Sequence, residues 1–233
     1  MKSSYILFCL ILQIACKDKI VIQTNKIEAI NDSLNQQVID SLGHIQRVKQ
    51  VGQLMGIGVI EFEFSDDTSE NIITFLDSLH KTNLTVNVDQ LRFSAASDLP
   101  IAFHDNFGLL IFNVVDTFNG KYKISDSTPF QKIAYLPRAD KRFKYESWRN
   151  HILNVFAVDF DTISNPIKKQ PTNSSERITL SESIYGGYTY FPVEIKNDWL
   201  KIKWENDFEK EEQTGWIKWR DGKYLIIELF YFA

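Results

Sequence analysis

The chain begins with an apolar run over residues 5–12, bracketed by Lys2 on one side and Lys17-Asp18-Lys19 on the other. A run of about ten residues falls short of the roughly 20 a membrane-spanning helix needs. A basic start, a short apolar stretch and the small Ala15 before a polar break read as an export signal over residues 1–15. Residues 16–52 are polar, with Ile27, Ile30, Leu34, Val38, Leu42, Ile45 and Val48 spaced by three or four, which predicts a tether helix. Gly52, Gly56 and Gly58 then break that periodicity and mark a boundary.

Residues 53–153 read as a small α+β domain with β-hairpins. Residues 59–64 alternate, placing Ile60, Phe62 and Phe64 on one face of a strand and Glu61 and Glu63 on the other. Asp67 with Glu70 three residues on imitates a capping box, and Ile72, Ile73, Leu76 and Leu79 share one helical side, so residues 67–81 are predicted helical. Leu84, Val86 and Val88 alternate again. The long apolar, β-branched run over 107–118 meets Asn119-Gly120, the dipeptide favoured in a type I′ turn, and returns through 121–124 as a hairpin. Residues 131–136 form a further short strand, and the basic, aromatic stretch 141–150 fits a short helix or a loop.

Residues 154–233 read as a second, all-β domain. A strand over 155–160 leads into a polar loop holding Pro166 and Pro171. Strands follow over 188–195, 198–204, 214–219 and 224–232, with Asn197-Asp198 and Asp221-Gly222 as turns. Strands this short and closely spaced suggest a small barrel or sandwich. The expected class is therefore α+β, mainly β.

Composition narrows the partners. The 233 residues carry a net charge of −4, and removing Lys2 with the signal takes this to −5. Without a basic excess there is little to neutralise phosphates, so no nucleic-acid partner is expected. The two cysteines are Cys9, inside the signal, and Cys16, at its end. A mature domain without cysteine has no thiol nucleophile, disulfide or thiolate metal site. His44, His80, His104 and His151 lie far apart with no metal-ligand spacing, and no glycine-rich phosphate loop or Gly-x-Ser-x-Gly occurs, so neither metal nor cofactor is expected.

Cys16 directly after Ala15 resembles the lipobox of bacterial lipoproteins, in the loose form found in the Bacteroidota, although Gln13 stands where that family prefers Leu. The resemblance implies cleavage before Cys16, lipidation of its thiol, and an exported protein anchored to a bacterial membrane, the outer membrane being favoured over the inner. The mild acidity leaves attachment to the lipid.

The segments Asn165-Pro166-Ile167, Asp198-Trp199-Leu200-Lys201-Ile202-Lys203 and Gly215-Trp216-Ile217-Lys218-Trp219 resemble the bacterial SH3-like domain over about a third of the chain. That resemblance implies a C-terminal SH3-like β-barrel. Alternation puts Leu200, Ile202 and Trp204 on one face and Trp199, Lys201 and Lys203 on the other, with Trp216 and Lys218 opposing Ile217 and Trp219. Trp199, Trp216, Lys201, Lys203 and Lys218 form a candidate groove for sugars or an extended peptide. The alternative is that both tryptophans cover the barrel and the lysines lie beside them.

Catalytic candidates are thin. Glu61 and Glu63 share one strand, whereas carboxylates that cut glycosidic bonds come from separate elements. His104-Asp105-Asn106 reads as a turn before it reads as half of a dyad. The expectation is a non-catalytic envelope lipoprotein that binds peptidoglycan or an envelope protein. The alternatives are a hydrolase using carboxylates such as Glu61 or Asp105 with His104, and an immunity-like or inhibitor lipoprotein.

Overall fold

Period-two alternation and β-branched residues run through the described residues, which are mostly β, with fifteen strands and one α-helix. The computed structural model describes residues 52–79, 81–94, 96, 98–126, 132–180, 188–205 and 212–232. Cys16, the export signal and, apart from Gly52, the expected tether helix lie outside them. The larger sheet contains β1 (Gly58–Phe62), β2 (Ile72–Leu76), β3 (Thr82–Asn87), β4 (Pro100–His104), β5 (Leu109–Phe118), β6 (Lys121–Ser125), β7 (Ile133–Pro137) and β8 (Phe143–Glu146). All pairings are antiparallel, in the order β3-β2-β7-β6-β5-β1-β8, with β4 also on β5.

Helix α1 (Trp148–Asn154) follows, capped by Ser147, whose Oγ accepts the Asn150 N–H at 3.3 Å. The C-terminal strands are β9 (Ala157–Asp159), β10 (Phe191–Lys196), β11 (Trp199–Glu205), β12 (Glu212–Lys218), β13 (Arg220–Asp221), β14 (Tyr224–Leu225) and β15 (Glu228–Phe230). They form a three-stranded sheet β10-β11-β12 and two ribbons, β13-β14 and β15-β9.

Strand β1, between β5 and the edge strand β8, sends side chains into two cores. Ile60 and Phe62 join one core with Phe75, Phe112, Ile124 and Leu136. Val59 faces the other, a continuous cluster with Ile111, Trp148 and Ile152 that also takes in Leu200, Ile202, Trp204, Ile217 and Trp219. Asn119 and Gly120 take φ of 47° and 70°, the double left-handed pair of a type I′ turn, between β5 and β6.

The expected class needs correcting in two places. Residues 67–81 are not a helix. Asp67 does cap a turn, its Oδ1 accepting the Ser69 N–H at 2.9 Å, but the turn is a single 3₁₀ turn over Thr68–Glu70. Glu70 bonds the Ser65 hydroxyl at 2.9 Å rather than completing the capping box. Ile73 and Phe75 are then buried while Ile72 and Leu79 are exposed, which is strand alternation in β2. The β-branched pair Ile72-Ile73 meets a waiting partner edge in β3, and that pairing overrides the weak helical spacing.

Nor do the C-terminal strands close into an SH3-like barrel. The strands form where alternation places them, but the last stretch splits. Leu225 exchanges hydrogen bonds with Gly52 (2.7 Å) and Gln53 (3.0 Å), and Leu229 pairs with Val158 in β9. The apolar face of β10–β12 buries against the larger sheet and α1 instead of against a closing strand. The extra apolar residues of the final segment are consumed in these contacts.

Candidate functional site

The three-stranded sheet β10-β11-β12 separates its two faces cleanly. Leu200, Ile202, Trp204 and Ile217 are fully buried on the inner side. On the outer side the antiparallel register sets Trp199 opposite Lys218 and Lys201 opposite Trp216, with Lys203 opposite Thr214. The structure therefore brings Trp199, Lys201, Lys203, Trp216 and Lys218 onto one face, as a checkerboard of rings and ammonium groups. All five are half-buried. The Lys218 Nζ lies 5.8 Å from the Trp199 ring centroid, within cation–π range. Lys203 pairs with Glu212 at 3.0 Å, so its charge is partly met.

The loop after β9 braces this face. Lys168 exchanges backbone hydrogen bonds with Trp216, both at 2.8 Å. The buried Asn165 side chain grips Lys218, its Nδ2 donating to the carbonyl (2.7 Å) and its Oδ1 accepting the N–H (3.0 Å). The Asn165-Pro166-Ile167 segment thus fixes the edge of the sheet that carries Trp216 and Lys218.

Glu61 lies in β1 and Glu63 one residue beyond its end, and Glu63 meets the Lys144 ammonium at 3.2 Å. His104 is packed edge-on against Phe107 and Phe232, with centroids 4.5 and 5.7 Å away. The Asp105 side chain, His44 and His80 lie outside the described residues.

The convergence occurs around His151 instead. Its Nδ1 is hydrogen-bonded to Glu146 Oε1 at 2.7 Å, and its Nε2 to the Tyr231 hydroxyl at 3.0 Å. The imidazole is 4% exposed. The His151 hydrogen bond holds the Glu146 carboxyl below its ordinary range, whereas burial pushes Glu61 up against the opposing pull of His151. Burial likewise raises Tyr231, keeping its hydroxyl protonated. Both imidazole nitrogens are engaged, which suits a clasp holding the C-terminal segment on α1 better than a base open to substrate. Tyr231 stands 80 positions from His151 in the chain, so no spacing rule joins them.

A carboxylate whose folded value is lowered stabilises the fold above its unfolded value of 4.5 and loses that contribution as pH falls through the lowered value. The stability difference between wild type and Glu146→Gln should therefore shrink as pH falls from about 6 to about 3. Denaturant midpoints across that range provide the measurement, and a constant difference would refute the role of the pair.

Among the described residues, no three His, Cys, Asp or Glu side chains group as a metal site, and no helix is long and apolar enough to cross a membrane. Comparison with protein-family models, curated proteins and solved structures finds no match for this chain.

Proposed function

We propose that the chain is a non-catalytic binding protein of a bacterial cell envelope, exported and held by lipid on Cys16 to a membrane, the outer in preference to the inner. Its partner, peptidoglycan or an envelope protein, lies across Trp199, Lys201, Lys203, Trp216 and Lys218. The observation that carries this reading is the register of β11 and β12, which interleaves two indoles and three ammonium groups on one braced face. Indoles stack on sugar rings and peptide planes, and ammonium groups meet carboxylates, so the surface suits an anionic glycopeptide. The engaged nitrogens of His151 and the lack of cysteine beyond residue 16 favour binding over catalysis.

Titration with soluble peptidoglycan fragments, followed through the indole N–H resonances, tests the surface. Trp199 and Trp216 should shift while the buried Trp204 and Trp219 stay in place, and Trp199→Ala should weaken binding about tenfold. Unmoved Trp199 and Trp216 signals with both fragments and envelope extracts would end the proposal. For the anchor, a palmitate analogue should label the wild type and not Cys16→Ala. Equal labelling of the two would exclude the lipid on Cys16.

A further inference from the structure

The ladder between β9 and β15 turns Val158 and Leu229 into the core. Asp159, Glu228 and Phe230 accordingly stand on the opposite face. Asp159 and Phe230 of that face, with Phe156, Tyr188, Tyr190 and Phe232, line a cleft of about 450 Å³. Phe156 and Phe230 are each 39% exposed. Phe107, 61% exposed, stacks on Phe232 with centroids 4.5 Å apart and carries the aromatic surface past the rim. Uncovered aromatic surface concentrated around one opening marks a binding site rather than ordinary scatter.

Five rings would suit many apolar bodies, and charge narrows the choice. Asp159 lines the cleft, one oxygen accepting the Phe160 N–H at 2.8 Å, and stands directly across the ladder from Glu228. Like charges so placed destabilise a sheet unless a cation lies between or beside them. Asp159 and Glu228 also line an adjoining cavity of about 710 Å³, together with Asp161, Asp221 and a single lysine, Lys218. The Lys218 Nζ also lies 5.8 Å from the Trp199 ring centroid on the neighbouring sheet. Among the described residues no ion pair neutralises any of the four carboxylates. Burial and the nearby Asp159 push the Tyr190 phenol up to about 12, so it stays a neutral ring beside the carboxylate.

We infer that this cleft binds a small organic ammonium ion free in solution, its cationic head against the aromatic faces and Asp159 and its apolar remainder along Phe232. Aromatic rings attract such heads through their quadrupole, and the volume lies within the range of roughly 300–1,000 Å³ typical of small-molecule sites. A neutral sugar would leave the opposed Asp159 and Glu228 without a counter-charge. The cleft lies on the β9–β15 ribbon, and none of the five residues of the Trp–Lys face lines it.

The test is an NMR titration of the full chain with choline and with its uncharged isostere 3,3-dimethylbutan-1-ol, read at the Tyr190 and Phe230 ring signals. Choline should shift both rings saturably and bind about tenfold more tightly than the alcohol. Asp159→Asn and, separately, Phe230→Leu should each weaken choline several-fold with the near-ultraviolet circular dichroism unchanged, while Trp199→Ala leaves it intact. Phosphatidylcholine vesicles at the same headgroup concentration should give no shift. Equal binding of choline and the alcohol, no shift at millimolar choline, undiminished binding in both variants, or binding to vesicles but not to free choline would each overturn the inference.

Discussion

Replacing Trp219 with alanine is expected to destabilise the fold by about 3–5 kcal/mol, whereas the same change at Trp199 should cost far less. Trp219 is 1% exposed and belongs to the core shared by the C-terminal strands, α1 and the larger sheet. Its indole N–H donates to the Asn197 carbonyl at 3.0 Å, its backbone N–H to Asp198 at 3.1 Å, and its carbonyl accepts from Ile226 at 3.1 Å. Truncation removes a large apolar side chain, leaves a cavity, and orphans the Asn197 acceptor at the turn between β10 and β11. Trp199 is half-buried on the outer face, where neighbours relax and water fills the space. Urea unfolding of the two variants beside wild type gives the comparison. Losses of similar size would mean that both faces of the sheet are structural, and the binding surface would lose its physical basis.

Gly56→Ala should be the second severe substitution, costing about 3 kcal/mol or more. A Cβ at position 56 would collide with the Val114 carbonyl and with Val115 Cα, all of it main chain in β5. No rotamer change relieves a clash with backbone. The segment is also held fast: the Gly56 N–H donates to Asn113 Oδ1 at 2.8 Å, Asn113 Nδ2 donates to the Leu54 carbonyl at 3.0 Å, and the Ile57 N–H reaches Val114 at 2.7 Å. Asn113 is buried, so pulling the chain away strands both of its polar ends. Gly120→Ala provides the control, because its Cβ would meet nothing within 4 Å and only the left-handed φ of 70° is strained. That variant should lose about 1 kcal/mol. A Gly56→Ala protein that melts with wild type would show that β5 yields more readily than its pairing implies.

These positions show how far a linear reading reaches. The Asn119-Gly120 turn was legible because two adjacent residues suffice to specify it. The outer face of β11 and β12 was legible for a similar reason, since alternation alone sets which side each residue takes. Residues 67–81 misled because a short apolar run satisfies helical and strand spacing alike, and the decision fell to the β3 edge that receives β2. The barrel failed at the same level, because alternation says which face is apolar and not which strand covers it.

What the sequence determined by itself, then, is local: the placement of most strands, the hairpin turn, the separation of Trp199, Lys201 and Lys203 from Leu200, Ile202 and Trp204, and the lack of any cysteine after Cys16. Only the tertiary structure decided that Leu225 pairs back to Gly52 and Gln53, that His151 clasps Tyr231 and Glu146, and that Phe156, Tyr188 and Phe230 enclose one cleft with Asp159. Each of these brings in a segment far away in the chain, Leu225 to Gly52, Tyr231 to His151 and Phe230 to Phe156. Such contacts depend on how whole sheets pack, and periodicity along one strand carries no record of them.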